Sequence, residues 1–284
     1  MTGVPGDAVE RAGFIRQPGT WVSWSGERRF DAYGMDADGP WLGFQAPRDQ
    51  LVSILLAAAA SAAVTVRQPS RAVSPILDGR RVAGVTTGGP PIVAPWVVDA
   101  GGGQQWLARQ LGLDRQAASP RLIARYGYMR GRRPNDDGIP EIVADETGWT
   151  WTAQVGPDRH HWTRLSFAGD DPWRDRPPQR FHGPTMQDRP RGANVTWRMV
   201  ARPAGPGYIC VGDAAAVLDP ASSHGVLKAI MSGMMASHVI AENLTGSASP
   251  TAAIDAYTDW LTGHFTADVA ALTEIYRSLP HPPP

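Results

Sequence analysis

Hydrophobic positions along the chain follow two different patterns. Three segments, 123–128, 148–153 and 162–167, alternate apolar or aromatic residues with polar ones. This period of two predicts strands of an antiparallel sheet that has one face in water or facing a ligand. Residues 95–99 and 208–211 are instead continuous apolar runs. Such runs predict short buried strands, and the run that ends in Asp99 is typical of a parallel sheet.

Segments rich in leucine, alanine and other small residues predict helices. We expect long helices over 51–63, 225–244 and 252–277, and a short helix over 106–111. Smaller elements are also predicted: short extended pieces over 1–46, a strand over 64–66, a hairpin over 72–87 and an exposed loop over 170–191. No internal repeat is evident in this order of elements.

Two adjacent histidines, His160 and His161, are candidates for a metal site or a general base. Neighbouring strand residues point to opposite faces, so the pair does not chelate one ion easily. No carboxylate stands near them at a spacing typical of metal ligands. We interpret them as a pair in an exposed turn, and no metal site is predicted.

Composition narrows the classes of function. The 284 residues carry 27 basic and 27 acidic side chains, so no general field attracts nucleic acid or an acidic membrane surface. Cys210 is the single cysteine, which excludes disulfides. The longest apolar run, 51–64, is about 14 residues, below the roughly 18 of a membrane span. No signal peptide is visible, and we expect a cytoplasmic protein.

The segment from Tyr208 to Val226 carries the clearest chemical signal. A short buried strand ends in Gly212-Asp213, a loop with proline follows, and a helix of small residues begins at Gly225. An aspartate at the carboxyl end of a parallel strand lies where α/β folds bind ligands and can accept hydrogen bonds from sugar hydroxyls. Glycine lets a ligand approach the backbone. The helix N-terminus favours an anionic group.

Residues 212–237 resemble the second flavin motif of the FAD-dependent hydroxylase and halogenase superfamily, which includes p-hydroxybenzoate hydroxylase-like monooxygenases. The spacing is most similar to the tryptophan halogenase branch. By this resemblance Asp213, after Gly212, holds the ribityl chain and Pro220 lies against the isoalloxazine ring. The resemblance also implies that the backbone of Gly225, Val226 and Leu227 meets the pyrimidine edge.

Two further segments resemble this family. Residues 96–102 are similar to its strand ending in Asp-Ala-x-Gly, near the FAD pyrophosphate. Arg48, followed by Leu51 and a helix, is similar to its Arg-x-x-(Leu/Phe) segment, in which the arginine lies near the cofactor. Family members also begin with a strand–GxGxxG–helix unit, and this sequence has none. We therefore expect an N-terminally truncated flavin domain, caused by a start codon assigned too far downstream or by gene decay.

The tryptophan pair Trp149-x-Trp151 is similar to the start of the Trp-x-Trp-x-Ile-Pro signature of flavin halogenases, but residues 153–154 are Ala-Gln. The pair equally fits two aromatic residues on one face of a substrate-domain strand. We predict that Trp149, Trp151 and Trp162 wall a substrate pocket. A halogenase also needs a lysine, and Lys228, within the predicted flavin-loop helix, is the only one in the chain.

The predicted fold is α+β: a truncated Rossmann-like flavin-binding domain of the α/β type and an antiparallel substrate domain. We expect residues 1–119 to be part of the FAD-binding domain with excursions into the substrate domain. Residues 120–200 would form the substrate domain, and residues 201–284 the second half of the flavin domain with the C-terminal helices.

The resemblance implies an FAD-dependent monooxygenase that receives electrons from NAD(P)H or a flavin reductase. It would act through a flavin hydroperoxide on a small-molecule or peptide aromatic substrate, with an indole as one option. No catalytic base is identified. Two alternatives stay open: a flavin-dependent halogenase, and a truncated, non-catalytic remnant that does not hold FAD. Neither nucleic acid nor a membrane is expected as a partner, and the oligomeric state is undetermined.

Overall fold

A computed structural model describes residues 7–131, 137–167, 185–247 and 249–279. The α-helices are α1 (Ala8–Arg11), α2 (Arg48–Ser61), α3 (Trp106–Gln110), α4 (Gly225–Thr245) and α5 (Pro250–Arg277). Single 3-10 turns cover Gly102–Gln104, Gly212–Ala214 and Pro220–Ser222. The strands are β1 (Ile15–Gln17), β2 (Gly19–Ser23), β3 (Arg28–Ala32), β4 (Met35–Asp36), β5 (Gly39–Pro40), β6 (Gly43–Gln45), β7 (Ser74–Asp78), β8 (Arg81–Thr86), β9 (Ile92–Val93), β10 (Val97–Asp99), β11 (Arg115–Ala117), β12 (Ile123–Arg130), β13 (Glu141–Asp145), β14 (Gly148–Gly156), β15 (Arg159–Ser166), β16 (Thr185–Met186), β17 (Arg191–Asn194), β18 (Arg198–Val200), β19 (Ala204–Gly205), β20 (Tyr208–Cys210) and β21 (Ala216–Val217).

The chain divides into two compact units, and helices and strands together confirm the α+β class. The first unit comprises residues 1–66, 123–193 and 276–284, and the second comprises 67–122 and 194–275. The middle segment of the first unit, residues 123–193, lies close to the predicted substrate domain, residues 120–200. The predicted segment 1–119, in contrast, is divided after Val66.

An eight-stranded sheet forms the centre of the first unit. Its main path runs β16-β12-β15-β14-β13-β2-β3, and β17 pairs with β12. The three strands predicted from period-two alternation are β12, β14 and β15, which are antiparallel neighbours. Two small antiparallel pairs, β1 with β6 and β4 with β5, account for much of the predicted extended N-terminal region.

Two predictions about this unit are corrected. Residues 64–66 are not a strand: α2 ends at Ser61, and Ala63 has a φ of 61°, which turns the exposed chain that follows. His160 and His161 do not lie in an exposed turn but inside β15, one on each face, because alternating polar and aromatic residues extend that strand to Arg159. The predicted loop 170–191 lies mostly outside the described residues.

The second unit is built on a small sheet in the order β10-β20-β19. β10 and β20, the two continuous apolar runs, are parallel as the first was predicted to be. Helices α4 and α5 pack on this sheet, and Tyr257 of α5 donates a hydrogen bond to the Cys210 carbonyl oxygen at 2.7 Å. Trp96, just before β10, donates to the Asn243 side chain at 3.1 Å. These contacts tie the C-terminal end of α4 and the N-terminal part of α5 to the sheet.

Two further small sheets complete the second unit. The predicted hairpin over 72–87 is β7 and β8, to which β9 adds a third strand. The other sheet has the order β11-β18-β21. Among the helices that the structure describes, none combines the length and apolar character needed to cross a membrane.

Candidate cofactor site

Gly212 lies two residues beyond the end of the parallel strand β20, and the chain needs a glycine there for two reasons. Its φ is +55°, a left-handed conformation that other residues adopt at a cost. A Cβ atom at this position would lie 3.3 Å from the Ala229 Cβ atom of α4. The Gly212 N–H donates to the Ser232 hydroxyl at 2.8 Å. The strand end is therefore held closely against α4.

Asp213 lies within the Gly212–Ala214 turn and is exposed, at the carboxyl edge of the parallel pair β10 and β20. Its charge is close enough to Arg198 to oppose the effects of burial and of Arg115, which lower the pKa of the Arg198 guanidinium. A carboxylate exposed at this edge can accept hydrogen bonds from the hydroxyls of a ligand.

A network that the sequence did not reveal supports this edge. Arg198 of β18 donates to the Gly103 carbonyl oxygen at 2.7 Å and to the Gln105 side-chain oxygen at 3.1 Å. Gln105 is fully buried, its backbone has a left-handed conformation, and its side-chain amide nitrogen has no hydrogen-bond partner among the described residues. Arg198 and Gln105 are 93 residues apart, so no local pattern signals their contact.

Asp99, at the end of β10, stabilises the neighbouring turn through hydrogen bonds within the protein. Its carboxylate accepts from the backbone N–H of Gly101 and of Leu107, both at 2.8 Å. The side chain is buried. The segment that resembles the family's Asp-Ala-x-Gly motif thus shapes a tight turn beside the Gly212–Ala214 turn, and its carboxylate oxygens are engaged within the protein.

The loop between β21 and α4 is ordered by a buried carboxylate. Asp219 is 1% exposed, accepts from the Trp197 indole N–H at 2.6 Å and from the Ala221 N–H at 2.8 Å. Pro220 follows at the surface. The loop therefore presents an exposed proline next to a buried, hydrogen-bonded aspartate.

The N-terminus of helix α4 is exposed to solvent. Gly225, Val226 and Leu227 are exposed, and His224 makes no side-chain capping bond. The first helical bond joins the Lys228 N–H to the His224 carbonyl oxygen at 2.9 Å. The amides of residues 225–227 precede that bond, so they and the positive end of the helix dipole are available to an electron-rich group.

Cys210 takes no part in this chemistry. The thiol is fully buried, and burial together with the charge of Asp99 raises its pKa to about 12. A thiol that stays protonated at neutral pH is not a nucleophile.

Arg48 is the first residue of α2, in the other unit, and is exposed. Its predicted place near the cofactor stays a prediction. The other residues predicted to bind the cofactor, from Gly212 to Leu227, all lie in the second unit, in one continuous strand–loop–helix segment.

The three predicted pocket tryptophans do not form one wall, which corrects that interpretation. Trp149 pairs with Leu165 and Trp151 with Thr163, whereas Trp162 pairs with Thr152 and so lies on the opposite face of the sheet. Trp149 and Trp162 are 0% exposed, and the Trp149 indole donates to the Tyr276 hydroxyl at 2.8 Å. Only Trp151 keeps exposed surface, and its pocket role stays a prediction.

The residues of this segment fit part of a flavin. The exposed carboxylate of Asp213, the exposed Pro220 and the exposed start of α4 suit a polyol chain, a flat ring and its carbonyl edge. The sequence contains no strand–GxGxxG–helix unit that would bind a pyrophosphate. The fit therefore covers the ribityl and isoalloxazine portions.

Comparison with known proteins gives one curated relative. The chain is 26% identical over 315 residues to a tryptophan 2-halogenase of Chondromyces crocatus, with 95% of this chain and 57% of that protein covered. The chain thus spans little more than half the length of this relative. No family model matches the sequence.

Solved structures share the fold. The myxobacterial chondrochloren halogenase CndH, described as a variant of FAD-dependent halogenases, superposes with a TM-score of 0.85 at 21% identity, covering 97% of this chain and 70% of CndH. A geranylgeranyl bacteriochlorophyll reductase-like protein of Thermoplasma acidophilum gives 0.77 at 18% identity, covering 96% and 76%. Because the activities named for these proteins differ, the fold alone does not assign one. The chain therefore shares the fold of FAD-dependent halogenases and is similar in sequence to one tryptophan halogenase.

Proposed function

We propose that the chain binds FAD through the segment from Gly212 to Leu227 and takes part in oxygenation of an aromatic substrate. One observation carries the proposal: a single segment contains both an exposed carboxylate after a parallel strand, Asp213, and the exposed start of α4, which no side chain caps. The flavin-dependent halogenases among its structural neighbours support the same cofactor. An indole is the favoured substrate class because the curated relative is named a tryptophan 2-halogenase.

Each residue has a distinct part in this proposal. Asp213 accepts hydrogen bonds from ribityl hydroxyls, and Pro220 packs against the ring. The amides of Gly225, Val226 and Leu227 donate to the carbonyl edge, where negative charge is stabilised by the helix dipole. FAD, once reduced, would supply the activation of O2 for transfer of oxygen to an electron-rich ring.

Halogenation is the second candidate, favoured by the name of the curated relative. One observation weighs against it. Lys228, the only lysine of the chain, forms an ion pair with Asp268 at 2.5 Å, between α4 and α5. A lysine held in this pair is not available as an amine nucleophile for hypohalous acid. Oxygenation is therefore the first proposal.

Product analysis distinguishes the two. The purified chain is supplied with indole, O2 and FAD kept reduced by a flavin reductase and NADH, with catalase present, and with or without bromide. Mass spectrometry that finds oxygenated indole under both conditions supports oxygenation. Bromoindole that depends on the protein and on bromide favours halogenation.

The Asp213→Ala variant serves as the negative control, because product formed without a bound flavin comes from free reduced flavin in solution. Equal product from Asp213→Ala and from the original chain contradicts the proposal. Absence of both products when the chain is saturated with FAD assigns it to the non-catalytic alternative.

A further inference from the structure

Four aromatic side chains meet on one face of the eight-stranded sheet in the first unit. In the register, Tyr128 pairs with His161, and Tyr126 and Trp151 both pair with Thr163. Paired residues of neighbouring strands point to the same face, so all four rings share it. The His161 ring centre lies 4.9 Å from that of Tyr128, 5.5 Å from Trp151 and 6.1 Å from Tyr126. We refer to these four residues as the aromatic surface.

The polar atoms of the aromatic surface form no hydrogen bonds with the described residues. In the part of the chain that the structure describes, neither tyrosine hydroxyl, nor the Trp151 indole N–H, nor either His161 nitrogen has a hydrogen-bond partner. All four residues are partly exposed. Trp149, on the same face, differs in both respects: it is fully buried and bonded to Tyr276. The aromatic surface is thus not a continuation of the packed core.

The charge around His161 favours its neutral form. Arg159 lies on the same face, with its guanidinium carbon 4.0 Å from the Tyr128 ring centre, and donates to the Gln187 side chain at 3.1 Å. Burial, and then the charge of Arg159, lowers the pKa of His161 to about 4. The other titratable groups on this face of β12 and β15 are the two tyrosines and Arg130, which forms an exposed ion pair with Asp158. Arg125, His160 and Arg164 lie on the opposite face of these strands. A neutral imidazole offers one donor and one acceptor.

We propose that the aromatic surface binds a planar aromatic compound with an N–H or O–H donor at its edge, such as an indole or a phenol, and that His161 accepts this hydrogen bond. The rings of Trp151, Tyr126 and Tyr128 provide flat apolar contact, and the hydrogen bond to the imidazole sets the orientation of the ligand. The neighbouring Arg159 disfavours a cationic ligand. The inference rests on the proposed function in naming how its aromatic substrate is recognised, but it requires no bound flavin.

Binding of two matched ligands tests the inference. Indole and benzofuran have nearly the same shape, but only indole carries an N–H donor. Each is titrated into the full chain without FAD, and binding is followed by calorimetry and by the ring-nitrogen NMR signals of the histidines. We expect indole to bind roughly tenfold more tightly than benzofuran, as one hydrogen bond predicts, and to shift the His161 signals. Indole that binds no more tightly than benzofuran, or does not bind, overturns the inference.

Variants locate the hydrogen bond. His161→Phe should weaken indole binding about tenfold and leave benzofuran binding unchanged, whereas His161→Gln, which keeps an acceptor, should retain much of the preference. His238→Phe, on the exposed face of α4, should alter neither. Equal weakening of both ligands by His161→Phe contradicts the assignment. Titration with FAD separates the two proposals: a chain that selects indole but binds no flavin contradicts the proposed function and leaves this inference standing.

Discussion

The aspartates of this molecule have different roles, and the exposure of each side chain distinguishes those roles. Asp99 and Asp219 are buried and accept hydrogen bonds from backbone or indole N–H groups. Asp145 neutralises an arginine inside the sheet of the first unit. Asp213 is exposed at the edge of the parallel strands, where a ligand can reach it. Sequence alone singles out Asp213 through its neighbours, but it does not separate a carboxylate that binds from one that holds a turn.

The buried Arg164 depends on Asp145. Its side chain is 2% exposed and forms two bonds to the Asp145 carboxylate, at 2.7 and 2.9 Å, with further bonds to Thr147 and Thr150. Removing the carboxylate takes both of these charged hydrogen bonds away from a buried guanidinium. We expect Asp145→Ala to lower the free energy of unfolding by about 1–3 kcal/mol, measured by urea denaturation.

Asp158→Ala is the matched control. Its ion pair with Arg130 is exposed on both sides, at 58% and 66%, so its loss should cost about 0.5 kcal/mol or less. A comparable loss of stability in the two variants would show that the buried network adds nothing beyond an ordinary surface pair.

His161 gives the fold a defined response to acid. Its folded pKa of about 4 lies below the ordinary value of 6.5, so the unfolded chain binds this proton more tightly. His161 therefore costs no stability above pH 6.5, and stability falls as the pH drops from 6.5 towards 4, by up to about 3 kcal/mol. His161→Phe should remove that part of the decline, which urea denaturation at a series of pH values measures.

The acid response of Asp145 falls in a lower range and does not obscure this effect. Although partial burial raises its pKa, the bonds from Arg164 and Thr147 outweigh burial and hold that pKa below 3.8. A depressed carboxylate stabilises the fold above its unfolded pKa and loses that effect as pH falls through its folded pKa. A His161→Phe variant whose stability still falls as steeply between pH 6.5 and 4 would contradict the role given to His161.

Among the secondary-structure elements, those with a strong period were predictable. Alternation located β12, β14 and β15, and small-residue composition located α4 and α5 to within two residues at each end. Local pattern failed for residues 64–66, where β-branched residues have no strand to pair with among the described elements. It also failed for His160 and His161, because only the register of β15 against β12 and β14 shows that both lie inside a sheet.

The candidate site could be predicted only where its residues are neighbours in the sequence. The segment from Gly212 to Leu227 is continuous, so its strand, turns and helix start can be recognised in order. Its supports come from distant strands: Trp197 reaches Asp219 across 22 residues, and Arg198 reaches Gln105 across 93. Tertiary contacts of this kind leave no local pattern in one sequence.

The loop before α4 should depend on Asp219. Both carboxylate oxygens accept from N–H donors, so Asp219→Asn turns an amide NH2 towards one of them. We expect the variant to lose about 1–3 kcal/mol of stability in urea denaturation and to weaken flavin binding through the displaced Pro220. Asp259→Asn, an exposed change on α5, should alter neither property. Full stability and unchanged flavin affinity in Asp219→Asn would rule out this support.

At the scale of the whole molecule, the proposed flavin binding and the proposed binding of an aromatic compound belong to different units. The second unit contains the segment from Gly212 to Leu227, and the first contains the aromatic surface. Each can be tested by its own ligand, flavin or indole, without reference to the other. The fold is shared by proteins of different named activities, so these sites, and not the architecture, carry the functional argument.

Flavin binding by the full chain tests the central claim most directly. FAD and riboflavin are titrated into the original chain, Asp213→Ala and Asp259→Ala, and binding is followed by calorimetry and flavin fluorescence. We predict that the original chain binds both flavins, that Asp213→Ala weakens both roughly tenfold to a hundredfold through lost charged hydrogen bonds, and that Asp259→Ala binds as the original does. A chain that binds neither flavin, or an Asp213→Ala variant that binds them undiminished, would contradict the account.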